Sequence, residues 1–187
     1  GNDLMPESGF AGLTRRFELN KPVVALVKGD AIGGAAKVSI NKDKMSEFYV
    51  EIGQRASFTK TVSESDVYLF AGITGDFSPN HVNKEYMENS SYGRLMAHGA
   101  LLVGFMSTVS TMAIAHTRDA EETPVSVGYD KIRFMKPVFL GDTVTVQYTI
   151  SKIEMERKRS YAEIEVTNQD GTLVAVGRHI LQWVPNI

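Results

Sequence analysis

The stretch Ile73-Thr-Gly-Asp-Phe-Ser-Pro-Asn-His81 holds a carboxylate, Asp76, and an imidazole, His81, five positions apart. Gly75 and Pro79 give that stretch the residue types of a tight loop. An Asp–His pair meeting at one water molecule is a tool for moving protons near neutral pH. Histidine suits the task because its unperturbed pKa lies near ~6.5. A second reading of the same residues is structural: Asp76 as a turn former and His81 as a packed side chain. Spacing alone leaves both open.

A second segment, Met96-Ala-His-Gly-Ala-Leu-Leu102, opens the long apolar helix expected over Gly99–Ala115. A helix start leaves up to ~4 backbone N–H groups without internal partners. Gly99 has no Cβ, so a substrate oxygen can approach that backbone closely. The positive end of the helix favours negative charge there. Ser107, two turns on, is a polar group in an apolar helix that could line a pocket. The competing readings are that Gly99 permits close packing and that Ser107 bonds back to the preceding turn. His98 reads as a helix-entry residue. The four histidines, 81, 98, 116 and 179, lack metal-ligand spacing such as His-x-x-x-His, so no metal is expected.

These groups need elements to place them. Ser57–Val62 reads as a short strand. Ser63-Glu-Ser-Asp66 is a capping pattern before an apolar helical face of Val67, Leu69, Phe70 and Ile73, which Gly72 and Gly75 should stop. Residues 76–83 read as a loop and Lys84–Asn89 as a helical turn. After Pro124 the apolar period changes from 3.6 to 2. Val125–Met135, Thr143–Ile153, Ser160–Asn168 and Thr172–Trp183 read as strands, with Asp170-Gly171 as a hairpin signal. Helices followed by an antiparallel meander argue an α+β fold. Because the long helix is apolar nearly all round, a curved sheet should wrap it. The expected organisation is an N-terminal extension or arm over 1–47 and one domain over 48–187.

Composition narrows the function. The chain has 187 residues, 20 Lys and Arg against 22 Asp and Glu, and a net charge of −2. That balance gives no electrostatic argument for nucleic acid or a membrane surface. With no cysteine there is no disulfide, thiol nucleophile or thiolate metal site, which fits a reducing, cytoplasmic compartment. The run Ala100–Ala115 falls short of the ~20 apolar residues of a membrane span, and residues 1–20 lack a secretory pattern.

Gly75-Asp-Phe-Ser-Pro-Asn-His81, with Ala97-His-Gly99 downstream, resembles the MaoC-like dehydratases and (R)-specific enoyl-CoA hydratases, whose motif is Gly-Asp-x-Asn-Pro-x-His. Asp130-Lys-Ile-Arg-Phe-Met-Lys-Pro-Val138 and Gly141-Asp142 also match the family's strand pattern. The resemblance covers about residues 48–184. It implies a single hot-dog fold, a curved antiparallel sheet around a long helix. It implies reversible addition of water across the 2,3 double bond of an enoyl-CoA to give an (R)-3-hydroxyacyl-CoA, in fatty acid metabolism. Coenzyme A, or a carrier protein, would arrive as part of the substrate, with no separate cofactor. By resemblance Asp76 and His81 activate the water, the Gly99 N–H polarises the thioester carbonyl, and Ser107 supports the site. Tyr92 falls where many members carry an aromatic residue. Members are homodimers or larger.

Two positions depart from the pattern. Ser78 replaces the motif's Asn and can still bond locally to the loop, and Asn83 stands where an acidic residue is common. Rival readings are a hot-dog acyl-CoA thioesterase and a non-catalytic acyl-CoA-binding module. Lys21–Ala36 is similar to a short piece of the crotonases, but only over sixteen residues, and no function is carried from it.

Overall fold

Alternation of apolar and polar residues builds most of the sheet. In Thr143–Glu154 (β4) Val144, Val146, Tyr148 and Ile150 all face the core, and in Arg159–Thr167 (β5) Ser160, Ala162, Ile164 and Val166 do the same. Leu173–Pro185 (β6) continues the pattern through Gly177, His179, Leu181 and Trp183. The computed structural model describes residues 37–39 and 48–186. The expected arm over 1–47 therefore lies outside the described residues except for Lys37–Ser39 (β1), and the crotonase-like stretch lies wholly outside them.

With Arg55–Thr61 (β2) and Glu122–Phe134 (β3), six strands form one antiparallel sheet in the order β1-β2-β4-β5-β6-β3. Four helices come between β2 and β3: Glu64–Thr74 (α1), Pro79–Val82 (α2), Lys84–Glu88 (α3) and Gly99–Ala113 (α4). α4 packs on β2 and β4 through Leu102, Phe105, Met106 and Val109. At its C-terminal end the Gln54 side-chain amide donates to the Ala113 carbonyl at 2.7 Å, satisfying an otherwise orphaned helix group. Trp183 closes that end of the core, stacked on Tyr49 at 5.4 Å and met edge-on by Phe48 at 4.9 Å.

Several sequence expectations need correction. Gly72 does not stop α1 but lies inside it; Gly75 ends the helix alone, at φ 78°, donating its N–H to the Ala71 carbonyl at 2.8 Å. Residues 76–83 are not all loop, because Pro79 at the first helical position nucleates α2. The sheet curves against α4 as expected, but the helix is not apolar nearly all round. Ala100, Gly104, Ser107, Thr108 and Thr111 form an exposed stripe of small residues along it. Their small size let an open face read as part of an apolar helix.

One histidine sits in an apolar-in position of a central strand. His179 is buried, with Tyr148 Oη 3.0 Å from Nδ1 and Ser126 Oγ 2.8 Å from Nε2, and Tyr129 stacks on its ring at 4.4 Å. Burial pushes its pKa down from 6.5 to about 4 and pushes the Tyr148 hydroxyl upward. The unfolded chain binds this proton more readily than the native state, so the contribution is intact above pH 6.5 and is lost as pH falls toward 4. Urea unfolding should show stability dropping over this window by at most about 3 kcal/mol. His179→Gln should flatten that part of the profile, and an unchanged slope would exclude His179 as its source.

Candidate active site

Every part of the site begins at a local signal. Ser63 caps α1 reciprocally: its Oγ accepts the Asp66 N–H at 3.2 Å and its own N–H reaches the Asp66 carboxylate at 2.8 Å. Lys60, at the end of β2, pairs with the same carboxylate at 3.0 Å and fixes where the helix departs. At the other end the left-handed Gly75 turns the chain directly into Asp76. There the Ser78 N–H donates to Asp76 Oδ1 at 3.2 Å, so one carboxylate oxygen holds the turn. The Asp76 side chain is 54% exposed.

His81 is held from both sides. Its Nδ1 lies 2.8 Å from the Met96 carbonyl. A carbonyl only accepts, so Nδ1 carries the proton and Nε2 is left with the lone pair. The Asn80 amide nitrogen sits 3.1 Å from that Nε2, and the Asn80 amide oxygen accepts from Ser78 Oγ at 2.5 Å. Ser78 thus orients the amide that faces the basic nitrogen. Asn83 caps α3 by accepting the Tyr86 N–H at 3.0 Å. Each departure from the family motif therefore has a local hydrogen-bonding task.

The segment entering α4 crosses this loop. Met96 donates its N–H to the Asn80 carbonyl at 3.0 Å, and Ala97 donates to Val138 at 2.7 Å. His98 follows as the residue before the helix and is 2% exposed. Its ring stacks on His81 at 3.7 Å and 24°, and its Nε2 is 3.0 Å from the Asp76 carbonyl. Helix-entry position alone does not anticipate this pairing, because residues 81 and 98 are brought together only by the tertiary fold. Gly99 begins α4, and its N–H has no acceptor among the described residues. The space a Cβ would need is filled by the Phe134 ring, with atoms 2.7–2.9 Å from that position. Phe134 is 53% exposed at the end of β3, and no local pattern in the residues points to this contact.

The structure thus gathers Asp76, Ser78, His81 and Gly99 around the α2 and α4 starts. Ser107 stands apart, eight residues or ~12 Å along the helix from Gly99. It is exposed and faces the Tyr129 hydroxyl, which has no well-formed hydrogen bond. Burial pushes the Tyr129 pKa up, and Ser107 opposes that rise. Tyr92 is exposed.

A carboxylate oxygen of Asp76 and one ring nitrogen each of His81 and His98 lie within 4.8 Å of one another. That set could hold a cation, although its sequence spacing gave no metal signal. In the present arrangement, however, the His98 nitrogen facing Asp76 points a proton at the carbonyl, and the His81 Nε2 lone pair accepts from the Asn80 amide. A cation or water that reaches His81 Nε2 therefore displaces that amide, while the half-exposed Asp76 carboxylate offers lone pairs directly.

One curved antiparallel sheet against one long helix, with an Asp–His loop at the helix start, defines a hot-dog protein. The chain belongs to the MaoC-like family: the MaoC like domain matches residues 47–174. It is 39% identical over 109 residues to the (R)-specific enoyl-CoA hydratase of Rhodospirillum rubrum, covering 58% of this chain and 72% of that one. It is 31% identical over 136 residues to the 3-hydroxybutyryl-CoA dehydratase of Methylorubrum extorquens, covering 73% and 82%. Among solved structures, the unliganded R-hydratase PhaJ1 of Pseudomonas aeruginosa superposes with a TM-score of 0.62 at 26% identity, over 73% of this chain and 84% of that one.

The Gly99 contact has a measurable consequence. Alanine is the better helix former, yet Gly99→Ala places a methyl against the Phe134 ring. Thermal denaturation should show Gly99→Ala lowering Tm by about 2 °C or more, a loss of roughly 1–3 kcal/mol. Measured against Phe134→Ala, adding Gly99→Ala should cost little. Equal losses in both backgrounds would show that the ring does not govern the position.

Proposed function

We propose that this chain is an acyl-thioester hydratase/dehydratase that reversibly adds water across the 2,3 double bond of an enoyl-CoA, giving the (R)-3-hydroxyacyl-CoA. The observation that carries the reading is the Asp76 carboxylate and the His81 imidazole, oriented by its Nδ1–H to the Met96 carbonyl, beside a helix start whose Gly99 N–H is free to donate to an oxyanion. The names of the relatives in Rhodospirillum rubrum and Methylorubrum extorquens support the same reaction class.

The β-carbon of an enoyl thioester is a weak electrophile until charge moves onto the carbonyl oxygen. A hydrogen bond from Gly99 at the positive end of α4 strengthens as that charge develops, and such a donor is worth ~3–4 kcal/mol in comparable sites. The attacking water gives up a proton to the Asp76/His81 pair, and the same pair returns one to Cα. Coupled groups share this titration. Coenzyme A enters as part of the substrate, with no separate cofactor, and the chemistry fits a cytoplasmic enzyme. No helix among the described residues is long and apolar enough to cross a membrane.

A second copy of the chain completes the reading. β3 pairs with β6 on one side only and exposes Val125, Val127 and Phe134, with Met135 just beyond it, next to the small-residue face of α4. Two-fold pairing of this edge extends the sheet and covers those side chains. A homodimer is expected by light scattering, and Val127→Glu should shift it toward monomer; a monomeric parent chain would end this part of the reading.

The catalytic test follows loss of enoyl absorbance with crotonyl-CoA. Asp76→Asn and His81→Ala should each lower kcat/KM by about 100-fold or more while remaining folded. Release of free CoA from saturated acyl-CoA, with no hydration, would favour a thioesterase. Tight acyl-CoA binding with neither reaction would favour a non-catalytic module.

A further inference from the structure

His98 occupies the one place from which a side chain touches both ends of the Asp76–His81 loop. Phe70, late in α1, meets one side of its ring at 4.9 Å, and His81, in α2, stacks on it at 3.7 Å. Between them, Nε2 reaches the Asp76 carbonyl at 3.0 Å. The other hydrogen bonds of Gly75–Phe77 run to neighbours within a few residues: Gly75 to Ala71, Asp76 to Thr74 and Phe77 to Gly75. Among the described residues, the His98 N–H is thus the hydrogen bond that ties this segment to another part of the fold.

The other nitrogen points to what this ring is for. Since a carbonyl only accepts, Nε2 carries the proton and Nδ1 a lone pair. That Nδ1 is buried and has no partner. An unpartnered buried acceptor is destabilising. A phenyl ring would stack on Phe70 and His81 without that penalty, so packing alone is served better by phenylalanine. What histidine adds is the N–H aimed at Asp76.

We propose that His98 is a positioning residue of the Asp76–His81 pair: its N–H holds the Asp76 backbone, and with it the carboxylate, over the basic nitrogen of His81. It acts through Asp76 and touches no reacting atom. The kinetic readout rests on the hydratase reading above; the spectroscopic one does not.

The two contributions separate in two variants. His98→Phe keeps the ring and loses the donor, whereas His98→Gln keeps a donor of similar reach and loses the stack. With crotonyl-CoA, His98→Phe should lower kcat roughly 100-fold, the size of effect that small misplacements produce, with KM within about twofold. It should leave Tm unchanged or raised. His98→Gln should recover most of the lost kcat. Wild-type kcat in His98→Phe, or equal losses in the two variants, would overturn the proposal.

Without any substrate, long-range ¹H–¹⁵N spectra of the histidine rings should show the His81 Nε2 resonance responding to Asp76→Asn. The response should vanish in the His98→Phe background and persist in His98→Gln. An identical response in all three backgrounds would refute the positioning role. A wild-type chain that hydrates no enoyl-CoA would count against the hydratase reading alone, and the spectra would then decide the role of His98.

Discussion

The site depends on a pair of hydrogen bonds at Met96. Its carbonyl accepts from His81 Nδ1 and its N–H donates to Asn80. One residue of extended chain therefore both fixes the tautomer of His81 and fastens α2 to the strand-like segment that enters α4. Remove that latch and the imidazole keeps only the Asn80 amide and the His98 stack, and its Nδ1 proton loses its acceptor. The large core beneath, built by β4, β5 and β6 around Leu102, Met106 and Val109, serves to hold the Leu95–His98 segment still.

Much of this was legible in the residues. Alternation in Val144–Ile150 and Ala162–Val166 marked central strands, and Ser63 with Asp66 marked the start of α1, because these signals act within a few residues. Asp76, His81 and Gly99 could be named because the Gly75–His81 and Ala97–Gly99 segments together resemble a family motif; their spacing alone left a structural reading open. What stayed hidden was long-range. The Phe134 ring over Gly99 and the His98 ring on His81 involve residues 35 and 17 positions apart, and no local pattern encodes such meetings. The open face of α4 was misread for a different reason: Ala100, Gly104 and Ser107 are small enough to suit either a packed or an exposed surface.

The two most deeply buried histidines are bonded differently. His179 is satisfied at both nitrogens by Tyr148 and Ser126 and is part of the scaffold. His98 is satisfied at one only. The contrast matters when histidines are sorted by burial alone, since both are almost wholly enclosed. Partner accounting separates them: a fully bonded ring explains its own presence, while a half-bonded one requires a reason that outweighs the cost of the idle nitrogen.

Phe134 ends the edge strand β3, and its ring rests where α4 begins. Whatever lies along that edge therefore shares a lever arm with the start of the helix. A substitution far out on β3 that changes the strand's twist reaches Gly99 through one aromatic ring rather than through the core. The end of the edge strand and the start of the long helix are in this way one unit: a residue change at position 134 alters the room beside Gly99 without touching the core.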